Sequence, residues 1–295
     1  MPASSATDPS PTGTADAAEG ILDVTAGGTR WRVLDSGEDA AGCVLLLHGA
    51  GSSLHTWRGL LPWLVPQHRV LAPDLPGHAG TAALPLGTDG MRAMADALVA
   101  LLRARGATPT VIIGHSAGAA LAARLAIDGR VHPCRLVSVN GAFLGWRGLA
   151  GSTFAPLARA LSSLPAVTAF VAERARSPRA IRHLIASTGS TLDAAGIAEY
   201  QRLFSEPAHV AGTLAMMAHW NLAALEQDLP RLALPLLLIA GSEDRAVAPA
   251  HAARVQALVR GSAVAHLPGL GHLAHEEDPA RVARLVTDFL ADPPR

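Results

Sequence analysis

The 295-residue sequence predicts an α/β protein built on a mostly parallel central sheet with helices on both faces. Three observations predict it. Short apolar runs ending in Gly, Asp, Ser or Asn recur along the chain, helical patterns separate them, and the runs are continuous instead of alternating. Strands buried on both faces read this way, because crossover helices cover each side of a parallel sheet. The length gives ample surface to bury in one large domain or two smaller ones.

The first 19 residues, "MPASSATDPSPTGTADAAE", are small, polar and proline-containing, with no basic residue. They read as a disordered tail and not as a signal peptide. "ILDVTAGGTRWRVLDSG" alternates apolar and polar residues around Gly27-Gly28, the pattern of an opening β-hairpin. Strands follow at "CVLLLHG" (43–49), "HRVLAPD" (68–74), "TVIIGHS" (110–116) and "CRLVSVNG" (134–141), with a helix over "DGMRAMADALVALLRARG". From about 142 to 230 every patterned segment is helical, including "LARALSSLPAVTAFVAERAR" and "PAHVAGTLAMMAHWNLAAL". A helical insertion between parallel strands covers the carboxyl ends of the sheet, where ligands bind. Residues 142–230 therefore read as a lid, set into a core of 20–141 and 231–295. The last two strands lie in "LPLLLIAGSED" (234–244) and "AVAHLPGLGH" (263–272), and "DPARVARLVTDFL" closes the chain as a helix.

Composition narrows the function classes. Hydrophobic residues make up 49%, charged residues 16%, and the formal net charge is +0. Nothing in that balance calls for nucleic acid or a strongly charged partner. There is no lysine, which excludes Schiff-base chemistry and a lysine-bearing phosphate loop. Cys43 and Cys134, each beside a strand, read as small buried hydrophobes of a reducing compartment. Their spacing supports neither a disulfide framework nor a zinc site. No apolar run reaches the ~20 residues of a membrane span, and the expected location is cytoplasmic.

"GHSAG" (114–118) sits between a strand and a helix. Gly-x-Ser-x-Gly at that junction is a nucleophile elbow: a tight turn presents the serine, and small neighbours let strand and helix approach. A serine hydroxyl needs a base, and the base needs an orienting acid. Asp244 ends "PLLLIAGSED", with Glu243 beside it. Asn140, at the end of the preceding strand, is the other place for an acid, but an amide carries no charge. His272 in "PGLGHLAHEEDP" is the candidate base, and His275 its competitor. Ser116, Asp244 and His272 form a complete catalytic set in chain order. The backbone N–H groups of Ala117 and of Ala50, in "LLLHGAGSS", are the candidate donors to an oxyanion. His48, Gly49, Gly51 and His115 border this region. Met216, Met217, His219 and Trp220 in "LAMMAHWNLAAL" read either as helix core or as an adaptable apolar wall for a large flat ligand. His55 and His78 read as helix-start and turn residues. No spacing fits a metal site, and no cofactor is expected.

Strand order, elbow and triad resemble the α/β-hydrolase family over roughly residues 21 to 291. Within it, "VLAPDLPGH", "GHSAGAALAARLAIDG", "STGSTLDAAGIAEYQRLFSEPAHVAG", "GTLAMMAHWNLAAL", "DLPRLALPL", "DRAVAP" and "LPGLGHLAHEEDP" are similar to the magnesium-chelatase accessory proteins of bacteriochlorophyll synthesis. One departure is "PGHAG", where relatives run Gly-His-Gly and this chain has Ala79. The resemblance implies a role where magnesium enters protoporphyrin, with a porphyrin intermediate and magnesium chelatase as candidate partners. It supplies no reaction. Three readings stay open: a working serine hydrolase acting on an ester or related acyl bond; a non-catalytic porphyrin- or chelatase-binding protein; and a generic carboxylesterase or cofactor-free haloperoxidase-like hydrolase.

Overall fold

The computed structural model describes residues 20–36, 42–85, 87, 89–145 and 164–291. The expected tail (1–19) and the start of the expected lid (146–163) lie outside the described residues.

The hairpin of β1 (Ile21–Ala26) and β2 (Thr29–Ser36) opens the fold. Then come β3 (Cys43–Leu47), a 3-10 turn at Leu54–Trp57, α1 (Leu61–Leu64), β4 (Arg69–Pro73), α2 (Gly90–Ala104), β5 (Pro109–His115), α3 (Ala117–Ile127) and β6 (Arg135–Val139). The described chain is then helical up to β7: α4 (Pro165–Ala175), α5 (Pro178–Ser187), α6 (Ala194–Phe204), α7 (Pro207–Ala218) and α8 (Leu222–Asp228). The fold closes with β7 (Leu236–Gly241), α9 (Ala250–Leu258), β8 (Ser262–Leu267), α10 (Ala274–Glu277) and α11 (Pro279–Ala291).

Eight strands form one sheet in the order β1-β2-β4-β3-β5-β6-β7-β8. β1 and β2 pair antiparallel, β2 meets β4 antiparallel, and every pairing from β4 to β8 is parallel. The continuous apolar runs now have a physical reason. Leu45, Leu47, Ile112, Leu136 and Leu238 point into one buried cluster, and Val44, Leu46, Ile113, Val137 and Ile239 into another on the opposite face. Successive side chains alternate faces, so a strand with a core on both sides reads as a nearly unbroken apolar run.

From β3 the chain turns one way to β4 and then crosses back to β5 on the other side of β3. This reversal opens a crevice at the carboxyl ends of β3 and β5, the usual ligand position in such sheets. Residues 48–53 and Ser116 lie there.

Proline at the first turn starts α4, α5 and α7. "PAHVAGTLAMMAHWNLAAL", which reads as one helical segment, is two helices. The side chain of Asn221 accepts the Ala224 N–H at 3.1 Å and so starts α8 afresh. One cysteine also differs from expectation: Cys43 is buried, but Cys134 is exposed, because it lies one residue before β6 begins. No described helix is long and apolar enough to cross a membrane.

Candidate active site

Ser116 occupies a conformation that L-residues rarely adopt, φ 51° and ψ −117°. Such a residue costs about 1–3 kcal/mol, so its neighbours must hold it. They do so through both main-chain groups. The Ser116 N–H donates to Val139 O at 3.1 Å, and its carbonyl accepts from Ala119 and Ala142, each at 3.1 Å. Sterics explain the flanking glycines. A Cβ on Gly114 would lie 2.5 Å from the Ala119 nitrogen, and one on Gly118 would collide with the Leu47 carbonyl. Helix α3 can start at Ala117 only because these positions carry no side chain. As the first residue of that helix, Ala117 has an N–H with no intrahelical acceptor.

The three expected partners meet. His272 Nε2 lies 3.1 Å from Ser116 Oγ, and His272 Nδ1 lies 2.8 Å from Asp244 Oδ2. A carboxylate only accepts, so Nδ1 carries the proton and Nε2 is left to accept from the serine hydroxyl. Asp244 also accepts at Oδ1 from the N–H groups of Ala246 and Val247, both at 2.8 Å. The turn-capping and ring-orienting readings of this aspartate are thus both satisfied, one per oxygen. Its side chain is 1% exposed and that of His272 10%. The charge is enclosed and the ring edge faces out. Glu243 makes no such contact; its side chain meets Ser242 Oγ at 3.3 Å.

His275 is not placed to compete. Its Nε2 donates to Thr56 Oγ1 at 2.7 Å, and burial pushes its pKa down to about 4. Asn140 takes neither charge nor ring. Its amide donates to the carbonyls of Gly271 (2.9 Å) and His272 (2.8 Å).

The pocket candidates divide. Ala50, Gly49 and Gly51 line the turn after β3, beside Ser116, where a Cβ on Gly49 would lie 3.1 Å from the Ser116 Cβ. His48 and His115 are buried, and the hydrogen bonds of their rings go to main-chain groups. His48 is fully buried, donating from Nδ1 to Gly49 O and accepting the Leu75 N–H at Nε2, both at 2.8 Å. His115 donates from Nε2 to His272 O at 3.0 Å. Met216 is packed in the sheet's core, while Met217 is 37% exposed. His219 turns back on its own helix, Nδ1 to Ala215 O at 2.8 Å, and its carbonyl receives the Gly90 N–H. Trp220 packs against the same core as Met216. The helix-core reading describes Met216 and Trp220 as placed. Among the described residues no group of three His, Cys, Asp or Glu side chains could hold a metal ion.

The inserted helices reach the site through joints the sequence did not reveal. Tyr200 on α6, the sole tyrosine of the chain, donates its hydroxyl to Glu276 Oε1 at 2.7 Å and lies 3.2 Å from Ser52 Oγ. The Glu276 side chain is fully buried and also takes Thr56 (2.6 Å) and Arg58 (2.8 Å). Burial alone would raise that carboxyl; His55, His275 and the donated hydrogen bonds hold it below its ordinary value. On α7, His209 donates from Nε2 to Gly51 O (3.2 Å) and accepts the Ala79 N–H at Nδ1 (3.1 Å). Beside it Gly212 passes so close to Gly77 that any side chain would strike the Gly77 carbonyl. Leu273, next to His272, plugs the small core of the insertion with Ile181, Ile185, Ile197 and Tyr200. The one usable sequence signal was "HEEDP", two carboxylates crowded behind a histidine.

A family model described as the alpha/beta hydrolase family matches residues 44–285. This chain belongs to that family. A "Magnesium-chelatase 30 kDa subunit" of Rhodobacter capsulatus is 40% identical over 88% of this chain and 90% of its own length. A "Pimeloyl-[acyl-carrier protein] methyl ester esterase" of Methylococcus capsulatus is 30% identical over 84% of this chain and 94% of its own. Among solved alpha/beta hydrolases, the enol-lactonase of Burkholderia xenovorans LB400 superposes with TM-score 0.74 at 21% identity, covering 92% of this chain and 100% of that one. At that identity the likeness is one of fold.

Proposed function

We propose that this alpha/beta hydrolase is a serine hydrolase acting on an ester or related acyl bond, at the magnesium-insertion step of (bacterio)chlorophyll synthesis. One observation carries the chemistry: the unbroken chain from Ser116 Oγ through His272 to Asp244, with distances of 3.1 and 2.8 Å. In this reading His272 Nε2 takes the hydroxyl proton as Ser116 Oγ attacks the acyl carbon. Asp244 stabilises the imidazolium. The tetrahedral oxyanion lies between the N–H groups of Ala50 and Ala117. Collapse breaks the bond to the leaving group, which takes the proton back from His272. Water then attacks the acyl-enzyme carbonyl, giving a proton to His272, which passes it to Ser116 Oγ as the carboxylic acid leaves.

Residues 142–230 act as the lid over an apolar substrate, and the protein works in the cytoplasm. The pathway rests on the Rhodobacter relative, and the choice of an ester bond is favoured by the Methylococcus one. A panel of methyl and aryl esters, assayed with the intact protein and with Ser116→Ala, tests the chemistry. Turnover is expected to fall by at least about 10³-fold in the variant; equal rates in both proteins would remove the reading.

The same relative favours a second reading, a non-catalytic porphyrin- or chelatase-binding role. Absorbance titration with protoporphyrin separates the two. Saturable binding without turnover of any ester supports the second; turnover with no porphyrin binding and no effect on a chelatase assay leaves a general carboxylesterase.

A further inference from the structure

Serine and acid are fixed by the strands that carry them, but His272 sits on a loop beyond β8. Its loop contains Gly269 and Gly271, and glycine gives a loop little stiffness of its own. Something must register the histidine against the serine to within an ångström. The main-chain polar groups around it show what does.

The His272 carbonyl accepts two buried donors: Asn140 Nδ2 at 2.8 Å and His115 Nε2 at 3.0 Å. Asn140 is 4% exposed and His115 2%. His115 is the residue before Ser116, and Asn140 ends the neighbouring strand. Asn140 is drawn into a left-handed conformation, φ 48°, and its Oδ1 accepts the Gly241 N–H at 2.8 Å. It therefore ties together β6, the end of β7 near Asp244, and the histidine loop. The rest of the loop has other holds. Asn140 also reaches the Gly271 carbonyl (2.9 Å), and the Glu243 N–H reaches the Leu270 carbonyl (2.9 Å). The His272 N–H goes to Thr188 O (3.4 Å), the Gly271 N–H to Glu277 (2.9 Å) and the Leu273 N–H to Ser190 (2.8 Å). Only the His272 carbonyl is gripped from the elbow strand itself. A carbonyl cannot donate, so His115 must carry its proton on Nε2, and its Nδ1 is a buried atom with no partner.

We propose that His115 and Asn140 are positioning residues for His272, gripping its main-chain carbonyl so that Nε2 stays in reach of Ser116 while Nδ1 stays on Asp244. The proposal rests on the hydrolase reading above. It also assigns a task to the histidine of "GHSAG": the residue that precedes the nucleophile aligns the base.

Two readouts test it, one chemical and one that needs no turnover. The first is the rate at which a fluorophosphonate modifies Ser116, followed against pH. The second is the imidazole NMR signature of His272, whose ring faces Asp244 and packs 4.8 Å from His115. His115→Phe keeps a flat buried ring but loses the donor, and His115→Gln restores an N–H at similar reach. Asn140→Gly removes the amide while suiting the positive φ, so it tests the grip without adding backbone strain, although it also frees the Gly241 N–H and the Gly271 carbonyl. His115→Phe and Asn140→Gly are each expected to slow modification by about 10–100-fold, the scale of a misplacement near 1 Å. They should also broaden or split the His272 resonances, and His115→Gln should recover to within a few-fold of the parent. Parent-like rates and an unchanged His272 signature in folded His115→Phe and Asn140→Gly would overturn the proposal. So would a His115→Gln variant as slow as His115→Phe. If the parent protein is not modified at all, the hydrolase reading fails, and the NMR arm still decides whether these residues hold the ring.

Discussion

The strand-end half of the site and the half closed by the inserted helices are held by different forces. At the strand ends, Ser116, Asn140 and Asp244 are placed by the sheet, each within a residue or a short turn of its strand. The one enclosed charge in the proposed triad, on Asp244, has three donors around it. At the insertion the joints are side chains from distant parts of the chain. They include neutral histidines, such as His209 between Gly51 and Ala79, and a buried carboxylate, Glu276, shared by Tyr200, Thr56 and Arg58. Reactivity and stability therefore reside in different halves of the site. A strand-end change should remove chemistry and leave the fold, whereas a change at the joints should cost stability first.

The largest expected effect breaks the strand-end half. Asp244→Asn keeps the shape of the turn but replaces the acceptor that fixes the His272 tautomer. Ser116 reactivity is expected to fall on the order of 10³–10⁴-fold with melting behaviour little changed. A loss under tenfold would mean that the aspartate only caps its turn.

Acid should act on the buried histidines. Burial lowers His48, His78 and His209 to about 3, and His275 to about 4, all from 6.5. The unfolded chain therefore binds protons first as pH falls through 6.5, and the stability these neutral rings contribute at neutral pH is lost progressively below it. Asp74, raised by burial to about 6, works in the opposite sense and offsets one such group between 6 and 3.8. With His55 and His115 also lowered by burial, the histidines outnumber Asp74, and the net effect of acid between about pH 6 and 4 is a loss of stability. Thermal melts should drop steeply below pH 6, and His209→Gln should flatten the slope by one proton. Melts unchanged from pH 7 to 5 would contradict the neutral-histidine account of the joints.

The smallest effect lies beside the same joint. Ala79 takes a left-handed φ of 44°, in the turn "PGHAG". Ala79→Gly removes a steric cost of about 1–2 kcal/mol and returns part of it as unfolded-state entropy. A gain of up to about 1 kcal/mol in urea unfolding is expected; a loss would show that the alanine methyl is needed there.

The same division sets what the sequence made legible. The strands could be read because both their faces are buried, and the Ser116, Asp244 and His272 positions because the elbow and the strand ends fix them locally. Asn140 was noted only as a possible acid site, since its task depends on two carbonyls more than 130 positions away in the chain. Tyr200 and His209 carried no motif, because their partners lie on distant segments that the fold alone brings near. His48 and His115 border the site in sequence, but which way their rings turn is set by main-chain partners that the fold brings near; Met216 takes the helix-core alternative.

The central claim is that Ser116, His272 and Asp244 act as one reactive unit. Its most direct test is mass spectrometry of the intact protein after treatment with a fluorophosphonate, with the modified residue mapped. The account predicts a single adduct on Ser116, absent in Ser116→Ala and strongly slowed in His272→Ala. An unmodified Ser116 in folded protein, under conditions that fully label a control esterase, would contradict it.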